Sequence, residues 1–264
     1  MTKHKALIGL FNLILMLLPH QALCWGQTGH RITGAIAERH LTAEAKSQIT
    51  SILPNETLAE ASTYADEMRS SPSEFWRKQA NPWHYVTVPK GNAYHDVGAP
   101  PQGDAYSALK RFTDVLTSPD TPKPAKQLAL RFIIHIIGDL HQPLHAGNGT
   151  DRGGNDLKVR FFDKETNLHW VWDNGLIAQK ELSYSEWTNW LDKKITDEEI
   201  GQWHSLDPEI WIAESTAIRP RVYPSNGNAI SYQYLYDHSP TITLRLKQAG
   251  IRIAHYLNNI FRAD

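Results

Sequence analysis

Apolar and polar positions recur along most of this chain with helical spacing. Residues 28–53 carry Ile32, Ala35, Ile36, Leu41, Ile49 and Leu53 on one face, and Pro54 stops the pattern. Residues 55–69 predict a second helix, broken by Ser71-Pro72-Ser73. From Asn81 to Pro101 the chain is rich in Pro, Gly, Asn and aromatics, which predicts a long loop with one short strand around Tyr85–Val88. Helical spacing returns over Asp104–Leu116 and over Lys123–Leu140, the most apolar helix, ended by Gln142-Pro143. Asp151-Arg152-Gly153-Gly154-Asn155 reads as a turn leading into the alternating strand Leu157-Lys158-Val159-Arg160-Phe161. Leu168 to Gln179 is helical again, Trp-rich helices follow, and an amphipathic helix from Thr241 to Phe261 closes the chain. The expected class is mainly α, in a single domain, with a short β-hairpin or strands.

The first residues depart from that pattern. A basic start holding Lys3 and Lys5 is followed by a mostly apolar run from Ala6 to Leu18, then Pro19 and the small-x-small triplet Ala22-Leu23-Cys24. The run is well short of the ~20 residues that span a bilayer, so it predicts a secretory signal rather than a retained anchor. Cleavage is expected between Cys24 and Trp25, leaving residues 25–264 as a secreted or periplasmic domain. Loss of residues 1–24 removes two lysines and no acid, which takes the formal charge from −1 to −3, and it removes the one cysteine. A mature chain without cysteine is held by its core or by metal, not by disulfides. The composition, 41% hydrophobic and 21% charged, is globular and excludes a disordered or collagen-like chain. The acidic balance supplies no general basic field for nucleic acid, so any chemistry on phosphates needs another positive charge.

Histidine supplies a candidate. His135-Ile-Ile-Gly-Asp139 and His169-Trp-Val-Trp-Asp173 each place an imidazole and a carboxylate one helical turn apart on one face. Either pair alone also suits a structural His–Asp contact; two copies favour a metal site. His141 falls on a different face and reads as a hydrogen-bonding partner, whereas His145 follows Pro143, where the chain can turn back. His84 and Asp66 have no spacing argument of their own. Cleavage before Trp25 would expose an α-amine five residues from His30, able to chelate metal together with its own carbonyl. The nitrogen-rich ligand set favours zinc over magnesium.

Trp25-Gly-x-x-Gly-His30, Ala65-Asp66-x-x-Arg69, Trp83-His84-Tyr85, His135-x-x-Gly-Asp139-x-His141-Gln-Pro-Leu-His145, Gly153-Gly154-Asn155 and His169-x-x-Trp172-Asp173 occur in that order. Together they resemble the S1/P1 family of zinc-dependent single-strand nucleases and 3′-nucleotidases. The resemblance implies a helical domain with three zinc ions. One would be held by Asp66, His84, His135 and Asp139, a second by the Trp25 amine and carbonyl, His30 and the other oxygen of Asp139, and a third by His145, His169 and Asp173. It also implies water activation between the two zincs that Asp139 bridges, phosphate binding at the third, and Arg69 as a stabiliser of transition-state charge. Single-stranded DNA, RNA and 3′-nucleotides would be the substrates; no protein partner is implied, and a monomer is expected.

Tyr85 reads equally as a base-stacking residue or a packed core tyrosine. Asn155 lies in the turn that resembles the family's turn beside the cleft, and Asn174 reads as a nucleoside contact or a turn cap. In several relatives an acidic residue occupies the position of Thr87, which puts rate and substrate preference in question here. Two rivals share some of these signals. A zinc phospholipase C has a longer gap before its first histidine and Glu as its final ligand, so the five-residue gap and Asp173 favour the nuclease. A non-catalytic zinc protein normally closes its site with four protein ligands, and the third set here has three.

Overall fold

The computed structural model describes residues 25–262; the expected signal peptide and its cleavage site lie outside the described residues. Helix α1 (Gln27–Arg39) and α2 (Ala43–Ile52) replace the single helix expected over 28–53. The break falls where Thr42 adopts an extended backbone and its side chain accepts from the Ala45 amide, which starts a new helix. The helix expected over 55–69 is likewise divided, into α3 (Leu58–Ala61), α4 (Tyr64–Glu67) and a tight 3-10 turn at Met68–Ser70. A Thr57–Glu60 capping box starts α3. Ser62 and Thr63 end it by donating their hydroxyls back to the Ala59 and Glu60 carbonyls.

The expected long loop contains a 3-10 turn at Asn81–His84, the two-residue strand β1 (Val86–Thr87) and the short helix α5 (Tyr94–Val97). Asp104 caps α6 (Ala105–Thr117), and α7 (Lys123–Leu140) matches the expected boundaries. From Ala129 to Leu140 every α7 residue except Arg131 is buried, so this helix is enclosed on all sides. After it, β2 (Ala146–Gly147) pairs in parallel with β1, Val86 opposite Ala146. The alternating segment forms β3 (Lys158–Phe161), flanked by antiparallel β4 (Lys164–Asn167) and, later in the chain, parallel β5 (Ala229–Ile230).

The helical stretch after β4 is not uniform: α8 (Leu168–Trp170) widens into a π turn over Val171–Gly175 before α9 (Leu176–Ala178). Helices α10 (Tyr184–Asp192), α11 (Asp197–Gln202) and α12 (Pro208–Val222) lead to the long α13 (Tyr232–Ile260). That last helix begins nine residues before the expected Thr241 start. Pro240 does not stop it, because Pro240, Tyr232 and Tyr236 are solvent-exposed and water can satisfy the freed carbonyl. The architecture is mainly α, as expected.

Two apolar clusters form the core. One surrounds α7 and includes Trp76, Trp83, Phe112 and Phe132, with the last two rings stacked 4.5 Å apart. The other gathers Trp25, Trp172, Trp187 and Ile251. Helix α1 lies close against both α13 and α3, and glycine makes each approach possible. A Cβ on Gly250 would lie 2.5 Å from Ile36, and one on Gly34 would run into the Leu58 carbonyl. The Trp25 indole ties the clusters together by donating to the Gly138 carbonyl of α7 at 2.8 Å.

Candidate metal centre and cleft

Three imidazoles at the centre, His135, His145 and His169, are each aimed by a carbonyl that the local fold leaves free. The interruption at Ser62 exposes its carbonyl, which accepts from His135 Nδ1 at 2.7 Å. The pairing of β1 with β2 brings His145 beside the end of the preceding 3-10 turn, where its Nδ1 donates to the His84 carbonyl at 2.7 Å. His169 Nδ1 donates to the carbonyl of Gly153 in the glycine turn, also at 2.7 Å. A proton fixed on Nδ1 leaves the Nε2 lone pair to act as a ligand.

Asp139 stands at the middle, fully buried. Its Oδ2 lies 3.0 Å from His135 Nε2 and 3.4 Å from His84 Nδ1, while Oδ1 lies 3.3 Å from His30 Nε2 and 3.5 Å from His145 Nδ1. The two oxygens of one carboxylate thus face different histidines. Asp66 extends the group, 3.9 Å from His84 and 4.0 Å from His30. Further along, Asp173 Oδ2 lies 3.1 Å from His169 Nε2 and Oδ1 3.6 Å from His145 Nε2.

Among the described residues three groups have the spacing to hold a cation: His30–Asp66–His135, His84–His135–Asp139 and His145–His169–Asp173. The partition differs in one respect from the set implied by resemblance, because Asp66 is within reach of His30 as well as His84. Trp25 is buried, and the Gly26 amide bonds to the Asp173 main-chain carbonyl at 2.9 Å, so the backbone at residues 25–26 lies beside the turn that carries Asp173. Glycine is required at position 26, where a Cβ would collide with the Asn174 side chain.

The donor set fits metal. Among the described residues, both nitrogens of His30, both oxygens of Asp139, Asp66 Oδ1, His145 Nε2 and Asp173 Oδ2 are buried without a hydrogen-bond partner. Unpaired buried polar atoms are rare in folded proteins, and their concentration at one point calls for a cation. The electrostatics agree. Burial works against the charge on Asp139, yet His135 and His145 hold its carboxyl well below the usual range. Burial lowers His84 to about 4, leaving a neutral imidazole. For His145 burial is outweighed by Asp139 and Asp173, which raise it to about 9. These carboxylates stay ionised and attract positive charge, whether proton or metal.

The other residues singled out divide into two places. A cavity of about 520 Å³ opens beside the centre, lined by His84, His145 and His169 together with Arg69, Tyr85, Thr87 and Asn155. Tyr85 is 43% exposed there, so it is not a packed core tyrosine. Asn155 donates to the Arg152 carbonyl at 2.9 Å, which braces the glycine turn. Asn174 does not line this cavity; it packs over Gly26 beside a smaller recess shared with Arg31 and Asp66. The π turn carries it to the Trp25 side, away from Tyr85 and Asn155.

His141 is a hydrogen-bonding residue as expected, with Nδ1 donating to Ile137 and Nε2 accepting from Arg252 at 3.0 Å. Sequence reasoning missed Gln142, whose amide donates to Asp173 Oδ1 at 2.7 Å and whose oxygen accepts from the Leu144 amide. Its place in the run His141-Gln-Pro-Leu-His145 was the available signal.

The helical fold and the buried groups of histidine and aspartate define a class: a mainly α protein built around a centre with room for several cations. A family model described as S1/P1 Nuclease matches residues 25–262, and the chain belongs to that family. "Endonuclease 4" of Arabidopsis thaliana is 30% identical over 281 residues, covering 94% of this chain and 93% of that protein. "Nuclease P1" of Penicillium citrinum is 27% identical over 271 residues, 91% of this chain and 99% of that protein. "Nuclease S1" of Aspergillus oryzae is 26% identical over 270 residues, 89% and 91% respectively.

Proposed function

We propose that this protein is an exported nuclease that uses three zinc ions to hydrolyse single-stranded DNA and RNA to 5′-nucleotides and to remove phosphate from 3′-nucleotides. The observation that carries the reading is the set of unpaired, buried ligand atoms of His30, Asp66, Asp139, His145 and Asp173 beside a cavity of nucleotide size. Family membership supports it independently.

Asp66, His84, His135 and Asp139 would hold one ion, the Trp25 backbone, His30 and Asp139 a second, and His145, His169 and Asp173 a third. When bound, zinc supplies acidity toward water and positive charge toward phosphoryl oxygens. The protein's own part is orientation. Ser62, His84 and Gly153 fix three imidazoles through their carbonyls, so little reorganisation accompanies the reaction. Arg69, 3.6 Å from Asp66 and only 13% exposed, lines the cavity and neutralises charge on the phosphoryl group. The exposed ring of Tyr85 offers a face to a base, an interaction that every base can make. Thr87 brings no carboxylate to the same wall, so water orientation depends on the centre itself.

The test is metal analysis with activity on one preparation of the protein starting at Trp25. Three zinc ions per chain, with turnover of single-stranded DNA and of a 3′-nucleotide, are expected. Stoichiometric zinc without turnover would make the centre purely structural, and preferred turnover of phosphatidylcholine would make it a phospholipase.

A further inference from the structure

The cavity beside the centre differs in charge from the chain that forms it. Among the described residues two arginines line it, Arg69 and Arg152, and no carboxylate does, although acidic residues outnumber basic ones in the sequence. Arg69 stands at the Asp66 side. Arg152 stands at the other, next to Gly153, whose carbonyl orients His169. The cations bracket the candidate ligands instead of sharing one of them.

Arg152 is also held in an uncommon conformation. Its φ is 52°, in the left-handed region that glycine takes freely and arginine rarely, and Gly153 and Gly154 follow at 63° and 80°. The turn is locked from both sides. The Tyr223 hydroxyl donates to Asp151 at 2.7 Å, the Asp156 amide donates to the Asp151 carbonyl at 3.1 Å, and Asn155 holds the carbonyl of Arg152 itself. Strain of this kind persists where neighbouring structure imposes it, and it concentrates at ligand clamps. The Arg152 side chain is 68% exposed, with Nε 3.3 Å from the carboxylate of Asp156, whose side chain is 54% exposed. A pair so accessible to water contributes little, so exchanging Asp156 for a phosphate meets little resistance.

We propose that Arg152 binds a second phosphate of the nucleic-acid strand, one that a mononucleotide lacks, and thereby favours polynucleotides over 3′-nucleotides as substrates. The proposal rests on the nuclease reading above. A phosphodiester strand passing through the cavity places its scissile phosphate at the centre near Arg69 and its neighbour toward Arg152, the second of the two lining arginines. Asp156 then acts as a competitor that holds the arginine when no strand is bound.

The test compares steady-state hydrolysis of a single-stranded oligodeoxynucleotide and of a 3′-mononucleotide by the zinc-loaded protein across a salt series. Arg152→Gly suits the left-handed backbone, so the turn is retained while the charge is lost. The variant should raise KM for the oligonucleotide by about fivefold, the upper end for one solvent-exposed ion pair. Its log–log salt dependence should flatten by about 0.7, the value for one phosphate contact on a single strand. kcat/KM for the mononucleotide should stay within about twofold. Arg152→Lys should restore part of the oligonucleotide KM, and Asp156→Asn should lower it. Equal effects on both substrates, or an unchanged salt slope, would overturn the proposal while leaving the nuclease reading intact. Wild-type protein that hydrolyses neither substrate would overturn both.

Discussion

Asp139 is the residue on which most of the centre converges. Its two oxygens face His135 and His84 on one side and His30 and His145 on the other, whereas Asp66 stands at the edge of the group. Asp139→Asn should therefore cost more activity than Asp66→Asn and should release more zinc, measured by metal analysis of each purified variant. Equal inactivation, with all the metal retained in Asp66→Asn, would count against a bridging role. Away from the centre, Glu214 holds two buried guanidiniums: Arg245 at 2.6 Å and Arg252 at 2.6 Å. Glu214→Gln should destabilise the protein by about 3 kcal/mol, at the low end for a stranded buried charge because Glu214 is itself 31% exposed. Burial opposes the charge on Glu214, but the two arginines prevail and hold its carboxyl below the ordinary 4.5. Below pH 4.5 the unfolded chain binds this proton before the folded one does, so the contribution is complete above that pH and fades as pH falls through the folded value. Urea unfolding from pH 6 to 3 should accordingly show a shallower acid loss in Glu214→Gln than in the parent.

At the scale of elements, two closely packed helices set the position of His30. Helix α1 carries that residue, and Gly250 lets α13 approach Ile36 closely enough to bury both faces. Gly250→Ala adds a methyl 2.5 Å from the Ile36 side chain and 3.2 Å from the Thr33 carbonyl, so the helices must separate. Chemical denaturation should register a loss of about 1–3 kcal/mol, the usual cost of overpacking. The same separation moves His30 relative to Asp139, so zinc retention should also fall. Helix interruptions elsewhere have an equally local purpose. A continuous helix through Ser62 would use its carbonyl internally, and the break releases that carbonyl for His135. The π turn after His169 retains the approach of Asp173 while carrying Asn174 onto Gly26, an arrangement common where helices serve functional sites.

For the whole molecule, the important link is between Trp25, the first described residue, and the centre. Trp25 is wholly buried, its indole is bonded to Gly138, and the next amide is bonded to Asp173. If its α-amine is a ligand, a protein expressed with residues before Trp25 offers an amide there instead, whose lone pair is delocalised and binds metal poorly. Such a protein should bind less zinc and cleave single-stranded DNA slowly, and proteolytic exposure of Trp25 should restore both. Three zinc ions and full turnover in the extended form would remove the amine from the site. Metal should also stabilise the fold, because the carboxylates gathered at the centre lose their counter-charge without it. Chelation should lower Tm, and zinc should restore it in proportion to ln(1 + [Zn]/Kd).

The sequence by itself determined the mainly helical class, the limits of α7, the strand at β3 and the pairing of His135 with Asp139 and of His169 with Asp173. Each of these follows from a period of two or about 3.6 residues, which is a local property of the backbone. The order of its motifs also carried the family resemblance, including His84 and Asp66, for which no spacing argument existed. Only tertiary structure decided what those residues face. His84 meets His135 across 51 positions and Trp25 meets Gly138 across 113, contacts that depend on how helices pack. Arg245 and Arg252 look in the sequence like the wet side of an amphipathic helix, yet both are 1% exposed because Glu214 on α12 supplies their counter-charge. Pro240 signals a helix start and is none, since exposure on that face removes the penalty. Periodicity shows which side of an element is apolar; which partner then satisfies its polar atoms is settled when the elements come together, because desolvation and pairing are properties of the assembled interior.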